Sequence, residues 1–172
     1  MKHILLLSDT HNQIDNRYIP YFKKADEIWH AGDIGSLDII DELETYTHVR
    51  AVYGNIDNHI IRSTLESILI FKCEEVKVLL THIGGYPKKY TKKCLELIKH
   101  INPDLFICGH SHILKIIYDK ENKLLHMNPG AIGDYGIHKV KTALSFTINN
   151  KKIKDLRIIE FPRNKKLANS IS

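Results

Sequence analysis

No apolar run in this 172-residue chain approaches the ~18–20 residues that a membrane-spanning helix needs. The run nearest the start, Ile4–Leu7 in "MKHILLLSDT", is too short for the apolar region of a secretory signal, and no small-residue cleavage site follows it. Cysteine is scarce. Cys73, Cys94 and Cys108 are odd in number and lack CxxC spacing, which argues against a disulfide framework and against thiolate metal binding. They read as reduced core thiols, and the expected location is the cytoplasm. Internal repeats, low-complexity tracts and linker-like segments are also missing, so one domain over residues 1–172 is expected. The net charge of +5 suits an anionic substrate. The lysines are scattered, however, and no basic stretch is interleaved with aromatics, which weighs against nucleic acid as a partner. The glycine-rich "NPGAIGDYG" (128–136) fits neither the dinucleotide nor the Walker pattern and reads as a turn bordering a cleft.

What is present is an alternation. Apolar, β-branched runs at 3–8, 27–31, 48–53, 76–81 and 104–109 predict strands, and helical spacing predicts helices over about 14–24, 36–46 and 90–101. Strands alternating with helices indicate an α/β fold. After residue 110 the pattern changes to strand-like segments joined by short turns, "LKIIYD", "KLLHMN", "KTALSFTIN" and "KIKDLRIIEF". That half is expected to be antiparallel and to make one largely meandering sheet. The tail after Phe161, roughly 162–172, is expected to be frayed.

Each of the first five strands is followed by polar residues of one kind. They deliver Asp9 and His11, Asp33, Asn55, His82, and finally His110 and His112. Ligands of open α/β sheets bind outside the carboxyl ends of the strands, so these residues can converge on one crevice. Singly, each has a plain reading as turn, cap or satisfied core histidine. Together, carboxylate, amide and imidazole without thiolate favour divalent Mn, Fe, Zn, Co or Ni. Seven ligands exceed what one four-coordinate ion takes and suit two, ~3.5–4 Å apart, an arrangement that serves displacement at phosphorus.

The order D-x-H, G-D, G-N, H, G-H-x-H resembles the signature of the calcineurin-like metallophosphoesterase superfamily. The small size and Asn128-Pro129-Gly130 resemble its compact YfcE-like branch, and the resemblance covers about residues 2–161. It implies a four-layer α-β-β-α sandwich of two mixed β-sheets flanked by helices. It further implies that Asp9, His11, Asp33 and His112 hold one ion, and that a bridging Asp33 with Asn55, His82 and His110 holds the other. Manganese is the first expectation, with Zn, Fe, Ni or Co as alternatives. Asp33, Asn55 and His82 would stand at the reacting centre. The implied activity is hydrolysis of a phosphate ester, diester ahead of monoester, by a metal-bound hydroxide. A homo-oligomer is compatible with the resemblance.

Two positions depart from the pattern. In "GNIDN", Ile56 replaces a histidine that can assist the leaving group, while Asp57 behind it is retained. In "THIGGYP", Gly84 replaces a second histidine found in compact relatives. His59 is a candidate substitute acid, its plainer reading being an exposed residue at a helix start. "YPKKYTKK" (86–93) reads as a solvated face that can also draw an anion inward, and His30 as core beneath the site. The rival to an enzyme is a scaffold or protein-interaction module. A trafficking-coat subunit of similar fold has lost ligand histidines, whereas this chain keeps all seven positions.

Overall fold

In the computed structural model, which describes residues 1–163, two five-stranded sheets stack face to face. The first contains β1 (Lys2–Leu7), β2 (Glu27–His30), β3 (His48–Ala51), β9 (Val140–Asn149) and β10 (Lys152–Pro162), in the order β10-β9-β1-β2-β3. The second contains β4 (Ile68–Cys73), β5 (Val76–Thr81), β6 (Leu105–Ile107), β7 (Leu114–Asp119) and β8 (Leu124–Pro129), in the order β4-β5-β6-β8-β7. The helices are α1 (Ile19–Phe22), α2 (Leu37–Glu44), α3 (His59–Thr64) and α4 (Lys92–Ile101). Both sheets are mixed: β1-β2-β3 and β5-β6-β8 run parallel, while β9 pairs antiparallel with β1 and β10, β4 with β5, and β7 with β8.

Strand periodicity explains the layering. In β1, Ile4 and Leu6 point between the sheets, where Trp29, Val78, Leu80, Ile107 and Phe146 fill the central core. Leu5 and Leu7 point outward and pack with Phe22, Ile39, Ile40 and Leu43 under α1 and α2. Across the second sheet, Leu79 and Phe106 pack outward against Cys94 and Ile98 of α4. Strands covered on both faces therefore read as unbroken apolar runs in the sequence. The result is the expected α-β-β-α sandwich. Among the described residues, no helix is long and apolar enough to cross a membrane. All three cysteines are free and buried.

Several expectations need correction. The antiparallel half does not form a sheet of its own: the β7-β8 hairpin completes one sheet and the β9-β10 hairpin the other. The helix expected over 14–24 shrinks to a 3-10 turn, Asn16–Tyr18, and a single turn, Ile19–Phe22. There the Asp15 side chain caps the Arg17 N–H, and Pro20 sits in the first turn, where its missing N–H does no harm. Helix α3 was foreshadowed only by the reading of His59 as a helix start, and edge strand β4 was not expected. Of the expected tail, Pro162 still belongs to β10, and residues 164–172 lie outside the described residues.

Candidate metal centre

The C-terminal ends of β1, β2 and β3 in one sheet and of β5 and β6 in the other open onto the same crevice. The turns there interlock by backbone. Asp9 N–H donates to Gly32 O at 2.9 Å, His11 N–H to Asp33 O at 3.1 Å, and Gly109 N–H to His82 O at 3.0 Å. All seven predicted residues are brought together. Asp9, His11 and His112 form one group of potential ligands, and Asp33, His82 and His110 another. Asn55 joins the second, its Oδ1 lying 3.1 Å from His82 Nε2. Asp33 faces both groups, with Oδ1 3.1 Å from His82 Nε2 and Oδ2 3.8 Å from His11 Nε2. The carboxylates form the buried floor, while Asn55 and His110 are exposed and leave an open face.

The residues fit a pair of cations. Asp9 Oδ1 and His11 Nε2 are buried and have no hydrogen-bond partner. Asp9 Oδ1 nevertheless lies 3.1 Å from His112 Nε2. That spacing suits two ligands at right angles around one ion, each about 2.1 Å from it. Buried polar atoms are otherwise nearly always paired, so these orphans point to something that binds them. The backbone gives a second sign. Asp9, His11, Asp33, His110 and His112 all have positive φ, between 46° and 69°. Side chains rarely adopt that region, and such strain persists where surrounding structure enforces it, commonly at functional sites.

The protonation states of His11 and Asp33 suit ligation. The His82 pKa is instead raised, burial being outweighed by Asp33 and Asp9, so a cation bound there would displace a proton. Burial outweighs the attraction of Asp33 and Asp9 and lowers the His11 pKa, keeping that ring neutral. Burial alone would raise Asp33, but the hydrogen bond and charge of His82 prevail and hold its carboxyl below the ordinary value. His82 Nδ1–H donates to Ala31 O at 2.7 Å, which turns Nε2 toward the centre.

The supporting shell was only partly visible in the sequence. Asp57, flagged for its position, is buried and accepts from Gly54 N at 2.7 Å, Gly35 N at 2.8 Å and Ile34 N at 3.2 Å. It thereby ties the Asp33 turn to the Asn55 turn. Gly54 is required between them, because a Cβ there would overlap the Asp33 carboxylate. His30 is buried, as expected of a core position. It accepts from Gly32 N at 3.1 Å and contacts Thr10 Oγ1 at 3.0 Å, and burial lowers its pKa to about 4. Sequence reasoning missed Ser8 and His138, and singled out Asn128 only as part of a turn bordering the cleft. Ser8 Oγ donates to Asp9 Oδ2 at 2.5 Å, and Asn128 Nδ2 donates to Gly109 O at 2.8 Å. His138 Nδ1 lies 3.3 Å from His112 Nδ1. The Asn-Pro-Gly turn does border the site, through that Asn128 contact. Gly84 packs against Phe106 and Cys108, leaving no space for a side chain there. His59 opens α3 at the surface, the plainer of its two readings.

This architecture is that of a metallophosphoesterase fold. A model of the calcineurin-like phosphoesterase superfamily domain matches residues 1–151, and the chain belongs to that family. It is 36% identical over 131 residues to a Methanothermobacter thermautotrophicus protein named "Probable metallophosphoesterase", covering 73% of this chain and 74% of that protein. Among solved structures, wild-type Vps29 of Entamoeba histolytica in complex with zinc is similar in fold, with a TM-score of 0.73 at 18% identity over 94% of this chain and 99% of that one. A novel archaeal phosphodiesterase is also similar, with a TM-score of 0.65 at 22% identity over 92% and 99% of the two chains.

Proposed function

We propose that this protein is a metal-dependent phosphodiesterase with a dinuclear centre. The observation that carries the reading is Asp33, one carboxylate facing two ligand groups whose buried Asp9 Oδ1 and His11 Nε2 have no partner. In this reading Asp9, His11 and His112 hold one ion and Asn55, His82 and His110 the other, with Asp33 shared. Manganese is the first candidate, and Zn, Fe, Ni and Co suit the same donors. When bound, such ions supply an activated water nucleophile and neutralise charge growing on the phosphoryl oxygens. The chain supplies the rest: Ala31 O and Asp57 fix the donors, and Asn55 and His110 leave the face by which phosphate enters. A diester is favoured because clefts flank the centre on two sides, one lined by His11 and one by Asn55 and His82. The archaeal phosphodiesterase of similar fold agrees with that choice.

The test is hydrolysis of bis(p-nitrophenyl) phosphate with and without added manganese and chelator, on the native protein and on Asp33→Asn. Activity should require metal. Asp33→Asn should weaken both ions together and lower the rate at least a hundredfold. Two tightly held ions in that variant would overturn the bridging role. A metal-loaded native protein inert toward all phosphate esters would favour the scaffold reading.

A further inference from the structure

Ile56, in the turn after β3, forms part of a wall. A cleft of about 1130 Å³ opens beside His11, and Ile56, Tyr135 and Ile137 line it. These side chains are 44%, 67% and 100% exposed. Large apolar groups clustered in solvent beside a candidate centre mark a binding surface. Tyr135 packs against the candidate ligand His11 with ring centroids 4.6 Å apart and the planes tilted by 37°, which anchors the apolar wall to the centre. Lys139 and Arg163 bring positive charge to the same cleft. The cleft's own carboxylate, Asp134, is paired with Lys141 at 2.9 Å and so does not cancel that charge. The opposite cleft, at Asn55 and His82, has a volume of only about 180 Å³.

Resting on the phosphodiesterase reading, we infer that the substrate is an asymmetric phosphodiester whose larger arm is nucleotide-like. That arm carries a planar ring, seated against Tyr135, Ile56 and Ile137, and a negative charge of its own near Lys139 and Arg163. The smaller arm points toward Asn55 and His82. The volume matches or exceeds the ~300–1,000 Å³ of ordinary small-molecule sites, enough for a nucleoside, whereas the second cleft suits a small group. An exposed aromatic with cations beside it is the chemistry that recognises a base and a phosphate together.

Three esters with the same p-nitrophenyl group test this in metal-loaded protein: methyl p-nitrophenyl phosphate, the p-nitrophenyl ester of thymidine 5′-phosphate, and that ester with an added 3′-phosphate. The thymidine ester should exceed the methyl ester at least tenfold in kcat/KM, and the 3′-phosphate should add a further several-fold. Tyr135→Ala should bring the thymidine-to-methyl ratio close to one, and Lys139→Ala should remove the gain from the 3′-phosphate. Independently of turnover, thymidine 5′-monophosphate should shift the δ-methyl NMR signals of Ile56 and Ile137 in zinc-loaded protein, and methyl phosphate should not. Equal kcat/KM for the methyl and thymidine esters with unmoved methyl signals would overturn the inference and leave the phosphodiesterase reading intact. Failure to cleave any ester while the Ile137 signal moves would sink the phosphodiesterase reading and keep the cleft as a nucleotide site.

Discussion

At Ile56 no side chain can donate a proton to the departing oxygen, and His59 opens α3 on the surface rather than in the crevice. General-acid help is typically worth about 10²–10⁴-fold. Rates should therefore depend steeply on leaving-group acidity across a series of aryl phosphodiesters, and His59→Gln should leave the slope unchanged. A shallow slope that steepens only in His59→Gln would show that His59 swings in as the acid. The seven candidate ligands were legible because each ends an apolar run, and because Asp, Asn and His in that order have few structural uses in common. Their supports were not. Asn128, within the turn already singled out, and His138 find their partners well back along the chain, and Ser8, though bonded to its neighbour Asp9, looks locally like any polar residue at a strand end. Tyr135 lies in the turn read as bordering a cleft, but its packing against His11 comes from a fold that only the assembled sheets create.

Among the elements, the turns after β2 and β3 carry the site, and Asp57 holds them in register. Removing its carboxylate leaves three backbone N–H groups without their acceptor. An unsatisfied buried donor costs about 1–3 kcal/mol, so Asp57→Ala should destabilise by at least about 3 kcal/mol. For a chain of this size that is a fall in Tm of roughly 6–12 °C. Manganese affinity should fall with it, because Asp33 and Asn55 lose their common anchor. Calorimetry showing an unchanged Tm would remove Asp57 from that role. The strands feeding these turns were legible as apolar runs, since β1, β2, β5 and β6 are covered on both faces. Edge strand β4 was not, because half-exposed positions dilute its pattern, and α3 is too short to show a period. The hairpins were found but misplaced. Alternation shows that β9 is a strand, yet its partner β1, paired through Leu6 and Leu144, lies at the other end of the chain.

For the whole molecule, two buried histidines set an acid limit. Burial lowers His30 and His126 to about 4 each, well below the ordinary histidine value. Between that pKa and ~6.5 the unfolded chain binds more protons than the folded one. Stability is therefore complete above pH ~6.5 and declines as pH falls toward 4, by about 2 kcal/mol for each histidine between pH 7 and 5. Urea unfolding in the presence of chelator should show this slope, and His126→Leu should flatten it by about half. An unchanged slope would mean that His126 stays accessible to protons in the folded state. The central claim concerns the centre itself, one shared carboxylate and two ions, and it is tested most directly by titrating metal-free protein with manganese while following diester hydrolysis and bound metal in the same samples. Binding should saturate at about two ions per chain, and activity should reach its plateau only with the second equivalent. Saturation at one ion with full activity, or two bound ions with no hydrolysis, would contradict it.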